Sequence, residues 1–287
     1  MSTTRQLLIF FGLAFAFTWT VGACMVFGHL RIEWSILASC GPTVAALVTN
    51  RLANGNQGAF RINCSWRRTA AAGAIGVPLV LIAFILLPAL ATVDAAKLNW
   101  RALISLGMYN YSTLLGGPLT EEPGWRGFAL PRLQSCFGPV PASLILGTAW
   151  AAWHMPFFFY PGWTQITIPT YFLIVIPLSV LLAWAANLAR FGVIPAILMH
   201  ACFNTSGKYF NGLFQYAQPG SGGFLKHVPM NLTLSFASLL AMGGWLVALV
   251  LIAFTRGRLA RSLEVPALTR VAAAAQHTPA HPGDSPA

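Results

Sequence analysis

Acidic side chains are almost missing from this chain of 287 residues: six Asp and Glu stand against seventeen Lys and Arg. Charged residues make up only 8% of the sequence and hydrophobic ones 56%. Soluble domains carry about 25% charged and about 45–50% apolar residues, so a soluble enzyme or soluble binding module is excluded. Cysteine is scarce as well. The five, Cys24, Cys40, Cys64, Cys136 and Cys202, have no CxxC spacing, and four lie in or beside apolar segments. Neither a disulfide framework nor a zinc–thiolate site is implied, and they read as core residues. An HExxH helix is missing, as are a repeat at solenoid spacing and the paired broken segments that mark a transporter.

What the sequence has in quantity is apolar runs. A bilayer crossing needs roughly 20 such residues, and runs of this kind occur near 7–28, 34–50, 70–93, 139–159, 166–187 and 232–255, with shorter and more polar candidates at 103–120 and 191–206. The expected fold is therefore all-α, a polytopic transmembrane helical bundle of about eight helices. The first run follows Arg5 but exceeds the about 7–15 apolar residues of a secretory signal, so it reads as the first membrane helix. One integral-membrane domain is expected over 1–262. From 263 to 287, Ala, Pro, Thr and His dominate without apolar periodicity, which reads as a disordered tail. Segment 207–231, with QPGSGG at 218–223, reads as a long loop.

Cytoplasmic loops carry the Lys/Arg excess. In an eight-crossing arrangement, one side holds Arg5, Arg51, Arg61, Arg67, Arg68, Arg126, Arg132, Arg190, Arg256, Arg258, Arg261 and Arg270, and the other holds Arg31, Lys97, Arg101, Lys208 and Lys226. Twelve against five predicts both termini, and the Glu121 end of its segment, on the cytoplasmic face of a plasma or inner membrane. The formal charge of +11 would suit nucleic acid, but these charges sit at helix ends, where anionic lipid headgroups are the better-matched partner.

Against that scarcity of acid, Glu121 and Glu122 are adjacent in LTEEPGWRGFAL, residues 119–130. A charged side chain at the bilayer centre costs about 2.5–3.5 kcal/mol on insertion scales, and such residues mostly face the bundle interior or a water-filled cavity. In a helix, Glu122 and Arg126 are four residues apart and can pair, while Glu121 points about 100° away. Pro123 and Gly124 predict either a bend here or a new helix capped by Thr120. An interfacial helix start with carboxylates complementing its dipole is the structural alternative. A second constellation is His154 in AWAAWHMPFFF, residues 149–159, suited to proton transfer or metal ligation or else a hydrogen-bonded core histidine. A third is His200 with Asn204 in ILMHACFNTSG, residues 197–207, four apart on one helical face. They can donate together to an oxyanion, or else hydrogen-bond between helices. A carboxylate, two histidines and an amide from three membrane segments are sufficient parts for water activation and transition-state stabilisation.

Glu121-Glu122-x-x-x-Arg126, then Trp150 four residues before His154, then His200-x-x-x-Asn204, in this order over about residues 103–206, resembles the CAAX protease and bacteriocin-processing (CPBP) family, whose eukaryotic members are the type II CAAX prenyl endopeptidases. The family's second motif usually has Phe where this chain has Trp150. The resemblance implies an intramembrane endopeptidase that cuts peptides or membrane-anchored proteins, lipidated ones included, near the cytoplasmic boundary. It implies Glu121 as the base that activates water, His154 assisting, His200 and Asn204 stabilising the oxyanion, and Glu122 with Arg126 holding the geometry. Zinc is a possible cofactor, ligated by Glu121, His154 and His200, but the expectation leans to chemistry that requires none. A non-catalytic immunity or scaffold protein that keeps these motifs for packing is the alternative.

Overall fold

Ser2 starts helix α1 (Thr3–Phe27): its hydroxyl accepts from Arg5 N–H at 3.4 Å, and at the far end Gly28 N–H returns to Cys24 O at 2.9 Å. Twenty-five residues at about 1.5 Å each outlast the roughly 30 Å hydrocarbon core, and no charged side chain follows Arg5 in α1. The computed structural model describes the backbone of residues 1–54, 59–60, 65–88, 114–164, 166–217 and 230–260, with side chains over the same ranges apart from 54, 206–217 and 230–236. The expected tail at 263–287 and most of the crossing expected at 103–120 lie outside the described residues.

After α1 come a 3-10 turn (Ile32–Trp34), α2 (Ser35–Ser39), α3 (Gly41–Asn54), α4 (Trp66–Leu81) with a π-helical continuation at Ile82–Leu86, and α5 (Pro118–Glu122). The chain then runs through a π-helical segment (Pro123–Ala129), α6 (Leu130–Phe137), α7 (Pro139–Trp153), a 3-10 turn (Met155–Phe159), α8 (Ile168–Leu188), α9 (Ile194–Ala217) and α10 (Met230–Phe254). The described residues form an all-α bundle without strands. Among the described residues five stretches are long and apolar enough to cross a membrane: Thr3–Phe27, Ile32–Ala53, Trp66–Leu86, Ile168–Leu188 and Ala237–Phe254. Large apolar side chains such as Leu8, Phe27, Leu249 and Phe254 are exposed on the outside, which suits lipid and not water. The protein is an integral membrane protein.

Helix α8 is the centre of the bundle. It packs against α7, α10, α4 and α9, and an almost unbroken run of its residues from Ile174 to Asn187 is buried. Close approach to α7 rests on Gly147: a Cβ there would stand 2.8 Å from Ser179 Cβ and 2.9 Å from Ile176 Cα. Small residues that let backbones meet hold membrane helices together where apolar burial against lipid gains little. Ser179 Oγ adds a buried hydrogen bond to Ser143 O at 3.0 Å.

Three expectations need correction. The run at 139–159 is helical only to Trp153, so α7 has fifteen residues and rises about 22 Å, shorter than the membrane core, because the chain turns at His154 ahead of Pro156. Residues 207–217, expected as loop, continue α9 to Ala217. Thr120 does not cap a helix: Gly117 occupies that position and Thr120 lies inside α5.

Candidate active site

Pro123 cannot donate a backbone hydrogen bond, and the helix does not end there but widens. The stretch Pro123–Ala129 is π-helical, and Leu130 N–H bonds to Trp125 O, five residues back. Every residue of the widened turn is buried. Such π segments recur at functional sites. Around it, Gly124 lies so close to the Pro42 backbone that a Cβ would collide with the Pro42 carbonyl. Thr120 ties α5 to its neighbours: its carbonyl accepts from Thr43 Oγ1 at 2.5 Å, and its hydroxyl shares a 2.7 Å bond with Ser39.

This turn carries the two glutamates inward. Glu122 and Arg126 pair as the four-residue spacing predicts, NH1 to Oε1 at 3.0 Å, both side chains buried. Arg126 is thus no loop charge, and the charge comparison becomes eleven against five without it. The same Glu122 Oε1 faces His200 Nδ1 at 2.8 Å. This oxygen already accepts from Arg126, so it accepts here too and His200 Nδ1 carries the proton it donates. Glu122 Oε2, Arg126 Nε and NH2 find no hydrogen-bond partner among the described residues. The guanidinium lies instead over the Trp150 ring, its Cζ 4.3 Å from the centroid.

Trp150 is the residue that sequence reasoning noted and gave no role. Its indole N–H donates to Glu121 Oε2 at 2.7 Å, and its ring meets the His200 ring edge-on at 4.9 Å. Its backbone carbonyl accepts from His154 Nδ1 at 2.8 Å. Because a carbonyl only accepts, that bond leaves Nε2 of a neutral His154 as a lone-pair acceptor. The indole N–H was the available signal: a buried Trp finds a partner for it, and the intramembrane carboxylates are acceptors of that kind.

The expected residues assemble unequally. Glu121 Oε1, Asn204 Nδ2 and His200 Cε1 are the three atoms nearest to the point where a Cβ on Gly117 would stand, at 3.1, 3.4 and 3.5 Å. Glu121 and His200 are buried and Asn204 half-buried. His154 stands apart, reaching this group through Trp150, and sits in an aromatic enclosure of Trp153, Trp163 and Tyr171 with ring centroids 4.7, 6.1 and 5.4 Å away. For zinc, Trp150 occupies Glu121 Oε2, whereas Glu121 Oε1 and Nε2 of both histidines are left open by these bonds, as in a metal-ligating histidine whose other ring nitrogen is bonded. Among the described residues no three His, Cys, Asp or Glu side chains form a group that could hold a metal ion. Chemically, the arrangement offers a buried carboxylate with one oxygen held, and the His200 ring and the Asn204 amide beside the other.

Residues 76–206 match the family model described as type II CAAX prenyl endopeptidase Rce1-like, a span that contains all six candidate residues. A segment of 92 residues is 33% identical to the CAAX prenyl protease 2 of Methanococcus maripaludis, covering 29% of this chain and 34% of that protein. The chain spans about a third of the length of the curated relative it matches.

Proposed function

We propose, from the match of residues 76–206 to the Rce1-like type II CAAX prenyl endopeptidase family model, that this protein is an intramembrane endopeptidase whose water is activated by Glu121. The observation that carries the reading is the convergence of Glu121 Oε1, Asn204 Nδ2 and the His200 ring at Gly117, with Trp150 and Glu122 fixing the carboxylate and the imidazole from behind.

In this reading Glu121 takes a proton as the water oxygen bonds to the scissile carbonyl carbon. The carbonyl oxygen gains the electron pair and is held by Asn204 Nδ2 and His200 Nε2–H, donors fixed in advance. His200 Nδ1 is already donating to Glu122, so donation from Nε2 uses the imidazolium. Its charge and that of Arg126 balance Glu121 and Glu122, which a buried cluster requires. Collapse breaks the C–N bond, and the proton on Glu121 passes to the leaving amine. His154, with Nε2 free to accept, assists the water. No step requires a metal.

The substrate class is a peptide or protein held at the membrane. The archaeal relative is named for prenylated CAAX substrates, and a lipidated C-terminal peptide is the first class to test. The remaining eleven-to-five excess of Lys and Arg supports a site opening toward the cytoplasm, with both termini on that face.

The test is cleavage of quenched peptides, prenylated and unprenylated, by purified protein in nanodiscs. Wild type should cut. Glu121→Gln should abolish cutting while melting like wild type, and retained activity would remove Glu121 from the role of base. Chelator should leave the rate unchanged, and a loss restored by zinc would reverse the metal-free reading. If wild type cuts nothing in the panel, an immunity or scaffold function takes precedence.

A further inference from the structure

Gly117 is buried at the start of α5, and its Cα faces the reacting groups without a side chain between. The three heavy atoms closest to its missing Cβ come from α5 itself and from α9, and all belong to the proposed machinery: a carboxylate oxygen, an amide nitrogen and an imidazole carbon. A residue chosen for turn geometry alone has no need of such a set. The imidazole carbon, Cε1, is bonded to Nε2, so the oxyanion position and the free oxygen of Glu121 flank the same small space.

Resting on the peptidase reading, we infer that Gly117 is a positioning residue: its bare Cα is the floor of the notch in which water and scissile carbonyl meet, and hydrolysis requires that this floor have no side chain. Glycine is used where a backbone must approach a ligand closely. A methyl at 3.1 Å from Glu121 Oε1 is tighter than ordinary van der Waals contact and must push the oxygen, the Asn204 amide or both by a few tenths of an ångström. It would also occupy the lower part of the notch. The substrate's remoter binding contacts are untouched by either effect. The expected signature is therefore a fall in kcat with KM preserved, which a general loss of folding would not give.

The experiment compares wild type, Gly117→Ala, Asn204→Ala and the double variant in nanodiscs with the best-cut peptide of the panel, reading kcat, KM and Tm. Gly117→Ala should keep Tm and KM and lose about tenfold in kcat, as expected for displacement of reacting groups by a fraction of an ångström. In the double variant the amide is gone but the methyl still stands against Glu121 Oε1 and in the notch, so its kcat should fall below that of Asn204→Ala alone. If Gly117→Ala does not fold, the double variant decides in its place. Gly117→Ala at the wild-type kcat, or a double variant as fast as Asn204→Ala, overturns the role of Gly117 while leaving the peptidase reading intact. Wild type that cuts nothing overturns both.

Discussion

At the residue scale, Trp150 has more contacts with the candidate site than any residue named for chemistry. It bonds Glu121, bonds His154 through its carbonyl, abuts the His200 ring and lies beneath Arg126. Trp150→Phe keeps most of the aromatic surface and deletes the N–H. A hydrogen bond to a charged group contributes about 1.5–3 kcal/mol, which corresponds to roughly tenfold to a hundredfold in rate. The expected result is that loss in kcat with a small change in Tm, and an unchanged kcat would show that Glu121 needs no clamp. Glu122 and Arg126 behave differently because each leaves the other buried and uncompensated. Arg126→Ala should cost about 3–5 kcal/mol of stability, read as a fall in Tm together with lost activity. A protein that melts like wild type yet is inactive would make the pair catalytic and not structural. Most of this was legible from spacing alone: Glu122 with Arg126, and His200 with Asn204, share helical faces by arithmetic. The Trp150 bond was not, because its partner lies 29 residues away and no local pattern records a contact across helices.

At the element scale, the widened turn at Pro123–Ala129 stands where the sequence predicted either a bend or a new helix capped by Thr120. Proline and glycine in a helix interior signal disruption, and periodicity has no sign for a helix that continues with five-residue bonding. Gly124 explains why the segment tolerates so little: it lies against the Pro42 backbone. Gly124→Ala should lower stability by about 1–3 kcal/mol through overpacking and reduce cleavage through misplacement of α5. Differential scanning fluorimetry reads the first and the peptide assay the second. A variant as stable as wild type would show that α3 can yield at this contact. The extension of α9 to Ala217 was missed for a related reason. Hydropathy reports fit to lipid, and a stretch with Lys208, Gly207 and Gly212 can be helical without being apolar.

At the scale of the whole molecule, apolar composition was enough to read an all-α membrane bundle, since only helices or closed barrels satisfy their backbone in lipid. How many crossings there are was less legible, because α7 ends at Trp153 while the apolar run that hydropathy reads continues to 159. Topology remains a prediction with a direct check. With α1 spanning, cysteines introduced at Ser2 and His29 should label from opposite faces, Ser2 only in inverted vesicles and His29 only in intact cells. The reverse pattern would place the candidate site on the outer side. The hydrogen bonds that α1 and its successors make have a further bearing. Trp19 Nε1 and Trp153 Nε1 donate to Trp153 O and Ala14 O, and Tyr160 hydroxyl to Leu30 O. Thr43 and Ser39 hold Thr120. All five bonds cross from residues before 76 to the segments that carry Glu121 and His154. The portion of this chain recognisable by its relatives is therefore smaller than the portion that shapes the site: the first fifty residues act as an internal scaffold for a domain that would be misassembled if excised along the boundaries of its own similarity.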